Sequence, residues 1–185
     1  MEMKEEIRIN APRDRVFTAL NDPEVLKRAI PGCEELEKLS DTDFTATVVV
    51  KVGPVKASFK GEVTLSDLNP PESYAISGHG KGGPAGFARG GARIQLLDEG
   101  EVTLMRYEVK VDVGGKLAQL GGRLIDGTSK RLAAQFFESF KEIVGAPAPA
   151  RAAAPEPERA AAPLAWIIGG GIVLAALIYF VVIGM

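Results

Sequence analysis

The chain's hydrophobic period changes in an orderly way, and its switch near Lys116 dictates most of the architecture. Val55, Ala57, Phe59, Gly61, Val63 and Leu65 alternate with Lys56, Ser58, Lys60, Glu62, Thr64 and Ser66. Such alternation makes a half-buried antiparallel strand with one wet face. Before it, Phe44, Ala46, Val48, Val50 and Val52 alternate in the same way, and Gly53-Pro54 supplies the turn between. After it, Asn69-Pro70-Pro71 turns the chain into a strand carrying Tyr74 and Ile76, which runs into a glycine-rich bend. Another strand spans about Phe87 to Leu97, and Asp98-Glu99-Gly100-Glu101 leads to a last one with Met105, Tyr107, Val109 and Val111. From Lys116 onward the spacing becomes three and four: Leu117, Leu120, Leu124, Thr128, Leu132, Phe136, Phe140 and Ile143. That stripe predicts one long helix, running from Lys116 to Gly145 with a continuous apolar face.

Ahead of the strands, Ile7 and Ile9 share one side of an opening strand. Asn10 and Pro12 suit the start of a helix bearing Val16, Phe17 and Leu20. Asp22-Pro23 opens a second short helix with Val25, Leu26 and Ile30, closed by Pro31-Gly32. The order is strand, two short helices, about six antiparallel strands and one long helix. A curved sheet must cover its concave apolar face, and the long helix has the matching stripe. The expected class is α+β, a helix-grip fold in which the sheet bends around the C-terminal helix and leaves room for a cavity.

Beyond residue 144 the composition shifts. Residues 145–163 read GAPAPARAAAPEPERAAAP. Repeated proline favours extended, open chain, so this reads as a tether spanning roughly 25 Å as a coil and about 59 Å fully extended. Residues 164–185 read LAWIIGGGIVLAALIYFVVIGM, without a charge. As a helix this run rises ~33 Å, against a hydrocarbon core of ~30 Å. It is expected to be a C-terminal, single-pass membrane anchor, with Trp166 and Tyr179 suited to interfaces. Gly171 and Ala175 give it a spacing compatible with helix pairing. The charged N-terminus, MEMKEEIRINAPRD, lacks the apolar segment of a signal peptide. Three parts are therefore expected: a domain over 1–144 in the cytoplasm, a linker over 145–163 and an anchor over 164–185.

The formal net charge is −2, which argues against a general nucleic-acid binder. Cys33 is the only cysteine and His79 the only histidine, so no disulfide or cysteine metal cluster can form within the chain, and no histidine-based triad or multi-histidine metal site can form beyond His79. His79 has the opposite parity to Ile76 and is expected on the outer face. Gly78 to Gly91 is glycine-rich but lacks the Gly-Lys-Ser/Thr ending and following helix of a phosphate loop, so it reads as a bent hairpin. No catalytic residue and no metal ligand are assigned. Arg89, Arg93 and Arg106 share outward parity on neighbouring strands, as a solvated face or a docking patch.

Several stretches together carry a family resemblance: IPGCEEL at 30–36, VGPVKASFKGEVTL at 52–65, GHGKGGPAGFARGGARIQL at 78–96, VGGKLAQLGGRLI at 113–125 and FFESF at 136–140. In order and spacing they resemble the carbon monoxide dehydrogenase G-subunit family of the START-like (SRPBCC) superfamily. The resemblance implies a non-catalytic accessory protein of a molybdenum CO dehydrogenase or related hydroxylase. It further implies membrane recruitment of that enzyme, and a bound respiratory quinone or other apolar ligand in an internal cavity, with no covalent cofactor. The alternatives are an adaptor that binds no ligand, and a START-like enzyme or lipid carrier of another pathway.

Alternation assigns the cavity-facing set: Val48, Val50, Phe59, Val63, Tyr74, Ile76, Ala92, Ile94, Met105, Tyr107 and Val109, with Leu117, Leu120, Leu124 and Thr128 from the helix. Small inward residues at Ala88, Gly90 and Ala92, and the helix interruption at Gly121-Gly122, would leave volume inside. Tyr74 and Tyr107 bring hydroxyls able to reach a quinone oxygen. The mouth is expected at Ile30, Pro31, the bend up to Phe87, and Leu117 to Leu120.

Overall fold

The computed structural model describes residues 2–145. The expected linker and anchor lie outside the described residues. Within them, no helix is long and apolar enough to cross a membrane.

Strand β1 (Glu2–Ile9) precedes helices α1 (Arg13–Ala19) and α2 (Pro23–Ala29). Then come β2 (Cys33–Lys38), β3 (Asp43–Val52), β4 (Val55–Asn69), β5 (Ser73–Lys81), β6 (Phe87–Asp98) and β7 (Thr103–Gly114). Helix α3 (Gly122–Gly145) closes the domain. All seven strands form one sheet in the order β1-β7-β6-β5-β4-β3-β2, antiparallel throughout. Consecutive strands are neighbours from β2 to β7. Only β1 crosses over, pairing with β7 and placing both helices between the two sheet edges.

Local chemistry explains the helix starts. The Asp22 carboxylate accepts from the backbone N–H of Glu24 at 2.9 Å, and Pro23 fills the first turn. In α1 the expected cap is displaced: Pro12 occupies the N-cap position, no side chain caps the helix, and Asn10 lies two residues upstream. Thr103 instead anchors that segment, its buried hydroxyl donating to the Ala11 carbonyl at 2.7 Å.

Two expectations are corrected. Cys33–Lys38 forms an edge strand that the sequence pattern did not suggest, since only Leu36 of its side chains is fully buried. The long helix is also shorter than its stripe implied. Gly121 has φ +88°, outside the helical range, so the chain breaks there and α3 holds 24 residues. Leu120 belongs to a separate 3-10 turn, Ala118–Leu120, and Leu117 precedes that turn.

The core lies between the sheet and the helices. From α3 it takes Ile125, Leu132, Phe136, Phe137, Phe140 and Val144. The Phe136 ring contacts Phe137 at 4.9 Å and Phe140 at 5.5 Å between centroids, and Phe137 stacks on Tyr107 at 5.5 Å. Full burial of such rings contributes about 1.5–3 kcal/mol each. Helix α3 packs on α2, α1 and β3.

Candidate functional site

Strand register decides what the concave face presents. Leu36, Ala46, Gly61, Gly80, Ala88 and Val113 stand directly beside one another from β2 to β7. The four middle positions carry a methyl group or nothing. The next row, Phe44, Val63, Gly78, Gly90 and Val111, is again bare at its centre. Two adjacent rows thus make a floor stripped of side chains beneath the helix layer. Larger rows wall it in. Leu65, Ile76, Ala92 and Val109 lie on one side. Phe59 and Val48 lie on the other, with the Phe59 ring flush against the Gly82 backbone, where an added Cβ would sit 2.2 Å from it.

All eleven strand residues assigned by alternation are buried inside this layer. Leu117 and Thr128 are buried too. Leu117 gets there from a loop, its N–H donating to the Ala85 carbonyl at 3.1 Å. Leu120 is half-buried, and Leu124 is 40% exposed at the start of α3. Ile125 takes the buried position in its place. The break at Gly121 takes Leu117 and Leu120 off α3, while Leu124 shares the spacing of Thr128 and Leu132 and is exposed in the first turn of the helix.

Several segments converge at one end of the domain. The β3–β4 turn reaches Leu124, whose Cδ2 would lie 3.1 Å from a Cβ on Gly53. Gly32, after Ile30-Pro31, lies against the Val49 carbonyl. Gly86 abuts Gly114 and Gly115. Ile30 is buried and Pro31 half-buried. Phe87 is 47% exposed and stands on the outer face, its ring lying over Gly114.

The two tyrosine hydroxyls differ. Tyr107 donates to the Glu5 carboxylate at 2.8 Å. Tyr74 is buried, its ring meets Phe17 edge-on at 6.1 Å, and its hydroxyl has no hydrogen-bond partner among the described residues. Burial pushes its pKa well up, so it stays a neutral donor. An unsatisfied buried hydroxyl costs about 1–3 kcal/mol.

The outer face is polar. His79 is exposed, 3.7 Å from Glu62, with no placement toward the interior. Arg106 pairs with Glu6 at 2.6 Å and Arg89 with Asp112 at 3.7 Å, while Arg93 lies opposite Glu108. The arginine patch read from parity is thus neutralised by carboxylates of β1 and β7. A depression of about 740 Å³ crosses this face, rimmed by Lys4, Glu6, Arg93, Arg106 and Glu108. Its charges satisfy one another, which suits a solvated surface. Cys33 is half-buried, its thiol donates to the Glu35 carbonyl at 3.4 Å, and burial raises its pKa, so it is a poor nucleophile. Among the described residues no cluster of His, Cys, Asp and Glu is placed to hold a metal.

Comparison with known proteins agrees with this geometry. A conserved protein from Geobacillus kaustophilus superposes with a TM-score of 0.74 at 28% identity, over 78% of this chain and 95% of its own. A START superfamily protein from Mycobacterium smegmatis gives 0.60 at 12% identity, over 78% and 97%. The Zhui aromatase/cyclase from Streptomyces gives 0.56 at 13% identity, over 78% and 93%. The last two establish a shared fold only. No curated protein matches the sequence. The model of the carbon monoxide dehydrogenase G-subunit (CoxG) family matches residues 6–145, the whole of the sheet-and-helix domain apart from its first few residues, and the chain belongs to that family.

Proposed function

We propose that the protein is a non-catalytic, membrane-tethered accessory of a molybdenum CO dehydrogenase-like enzyme, and that it holds a respiratory quinone between sheet and helix. The observation that carries this reading is the bare floor of Ala46, Gly61, Gly80 and Ala88, with the unpartnered Tyr74 hydroxyl buried farther along β5, about 20 Å from Gly80 by strand rise. A flat apolar ring needs a surface free of side chains and one or two donors for its carbonyls. Family membership supports the link to a CO dehydrogenase. The uncharged run at 164–185 supports the tether, which would keep the domain beside the bilayer where quinones reside.

A second reading, a pure recruitment adaptor, is favoured by the close burial of the inward residues, which form one contiguous hydrophobic cluster. Native mass spectrometry of residues 1–145 with added quinone separates the two. The carrier gives a one-to-one quinone complex that Ala92→Phe abolishes. The adaptor captures the enzyme with no ligand bound and is indifferent to Ala92→Phe.

A further inference from the structure

Cations on this sheet fall into two populations. On the β1–β7–β6 side they are matched: Lys4 with Glu108 at 2.8 Å, Arg106 with Glu6, Lys110 with Glu2 at 3.4 Å, Arg89 with Asp112. At the β3–β4 turn the pattern reverses. Lys51 lies directly opposite Lys56, and Lys60 directly opposite Lys81. All four are exposed on the outer face, and none forms an ion pair among the described residues. Like charges facing each other across strands destabilise a sheet. Nothing in the fold requires this arrangement, because any polar residue would keep that face wet.

Apolar groups stand at the same end. Phe87 neighbours Lys81 across strands, and its ring is half-exposed over Gly114. Leu124, also half-exposed, meets the turn at Gly53. Exposed lysines around isolated apolar side chains match an interface of anionic headgroups over acyl chains, where each lysine contributes ~1 kcal/mol and aromatic groups insert. An acidic protein would match the lysines but leave Phe87 and Leu124 unexplained.

We propose that this end of the domain, centred on Lys51, Lys56, Lys60, Lys81 and Phe87, is a docking surface for an anionic lipid membrane. It deepens the carrier reading, because the segments expected at the cavity mouth converge at the same end. Docking there would bring the opening to the bilayer surface. It does not depend on what the interior binds, and its test contains no quinone.

The solved neighbours consist almost wholly of this domain, at 95% of the Geobacillus chain, so residues 1–145 form a unit that folds alone. This fragment, lacking 164–185, is floated with vesicles of phosphatidylcholine alone or mixed with phosphatidylglycerol. Expected is binding only to the mixed vesicles, declining with added salt. Lys60→Gln with Lys81→Gln should weaken it roughly 30-fold, about fivefold for each lysine near the surface. Phe87→Ser should weaken it without changing the salt dependence. Lys130→Gln with Arg131→Gln, on exposed positions of α3, should leave it unchanged. Absence of binding to the mixed vesicles overturns the proposal. So does equal loss in the two double variants, or capture of an acidic protein by this surface without vesicle binding. Failure here leaves the mass-spectrometry result on quinone standing or falling by itself.

Discussion

The two faces of the sheet are built by opposite means. On the concave face, side chains are removed: four neighbouring strands contribute Ala46, Gly61, Gly80 and Ala88 in line. On the convex face, toward β1 and β7, the side chains are mostly charged and are matched across strands, as Lys4 with Glu108 and Arg106 with Glu6. Subtraction on one face leaves a surface where, at Gly78 and Gly90, not even a Cβ would fit without a clash. Matching toward β1 and β7 leaves a solvated surface with little net field there, in contrast to the lysine end. The lesson is that a mutation's cost should follow the face it falls on, with intolerance inside and near neutrality outside.

The largest effect should come from the layer opposite the floor. Phe136 is fully buried among Phe137 and Phe140, and Phe136→Ala should cost ~3–5 kcal/mol in urea unfolding. A loss below about 1 kcal/mol would mean that α3 is not held by this cluster. Next comes the floor. A Cβ on Gly90 would lie 2.1 Å from the Lys110 carbonyl oxygen and 2.7 Å from Val111 Cγ2, so Gly90→Ala should destabilise by about 2–3 kcal/mol. The same change at Gly127, in α3 with open space around it, should stabilise by ~1 kcal/mol. Equal signs for the two substitutions would break the comparison.

Tyr74→Phe sharpens it. Removing an unpartnered buried hydroxyl should raise the stability of the empty domain by about 1 kcal/mol, while weakening quinone binding in a titration. A fall in stability instead would show that the hydroxyl is already satisfied.

The smallest effect belongs to the convex face. Hydrogen bonds from Ser40, Thr64 and Thr42 hold the Asp43 pKa below its ordinary value. A depressed carboxylate contributes stability above its unfolded pKa and loses it as pH falls through the lower folded value. Asp43→Asn should therefore lower stability slightly at neutral pH, where that contribution is present, flatten the acid limb of the profile and leave the most acid end unchanged. An unaltered acid limb would show those bonds do not persist in solution.

Much of this was legible in the chain. Alternation located β3, β4 and the inward set because one face of each strand is wet. The short strand β2 escaped because its exposed carboxylates mask the pattern around Leu36. The floor escaped for a different reason, since it is a property of register. The two-residue turn at Gly53-Pro54 fixes Ala46 beside Gly61, and that much could have been read. The bulge between Ser66 and Asn69, with Asp67 at φ +51°, shifts β4 against β5 by one residue near their turn. Without that shift in hand, Gly61 could not be aligned with Gly80. Leu117 and Leu120 were read into the long helix because a helical period cannot reveal a glycine that has left the helix.

The direction of α3 has a mechanical consequence. Its 24 residues carry the chain ~36 Å, from the end that holds Leu124 and the lysines to Gly145 at the opposite end. A chain anchored through 164–185 would therefore leave the domain on the side away from the docking surface. If residues 145–163 were an open tether, a relaxed span of roughly 25 Å would fall short of that distance, whereas a full contour of about 59 Å would exceed it. The tether would then act as an entropic spring, under tension while the lysine end touches lipid and slack when the domain lifts away. Its length would set how long each visit to the bilayer lasts, making the proline-rich segment a timing element.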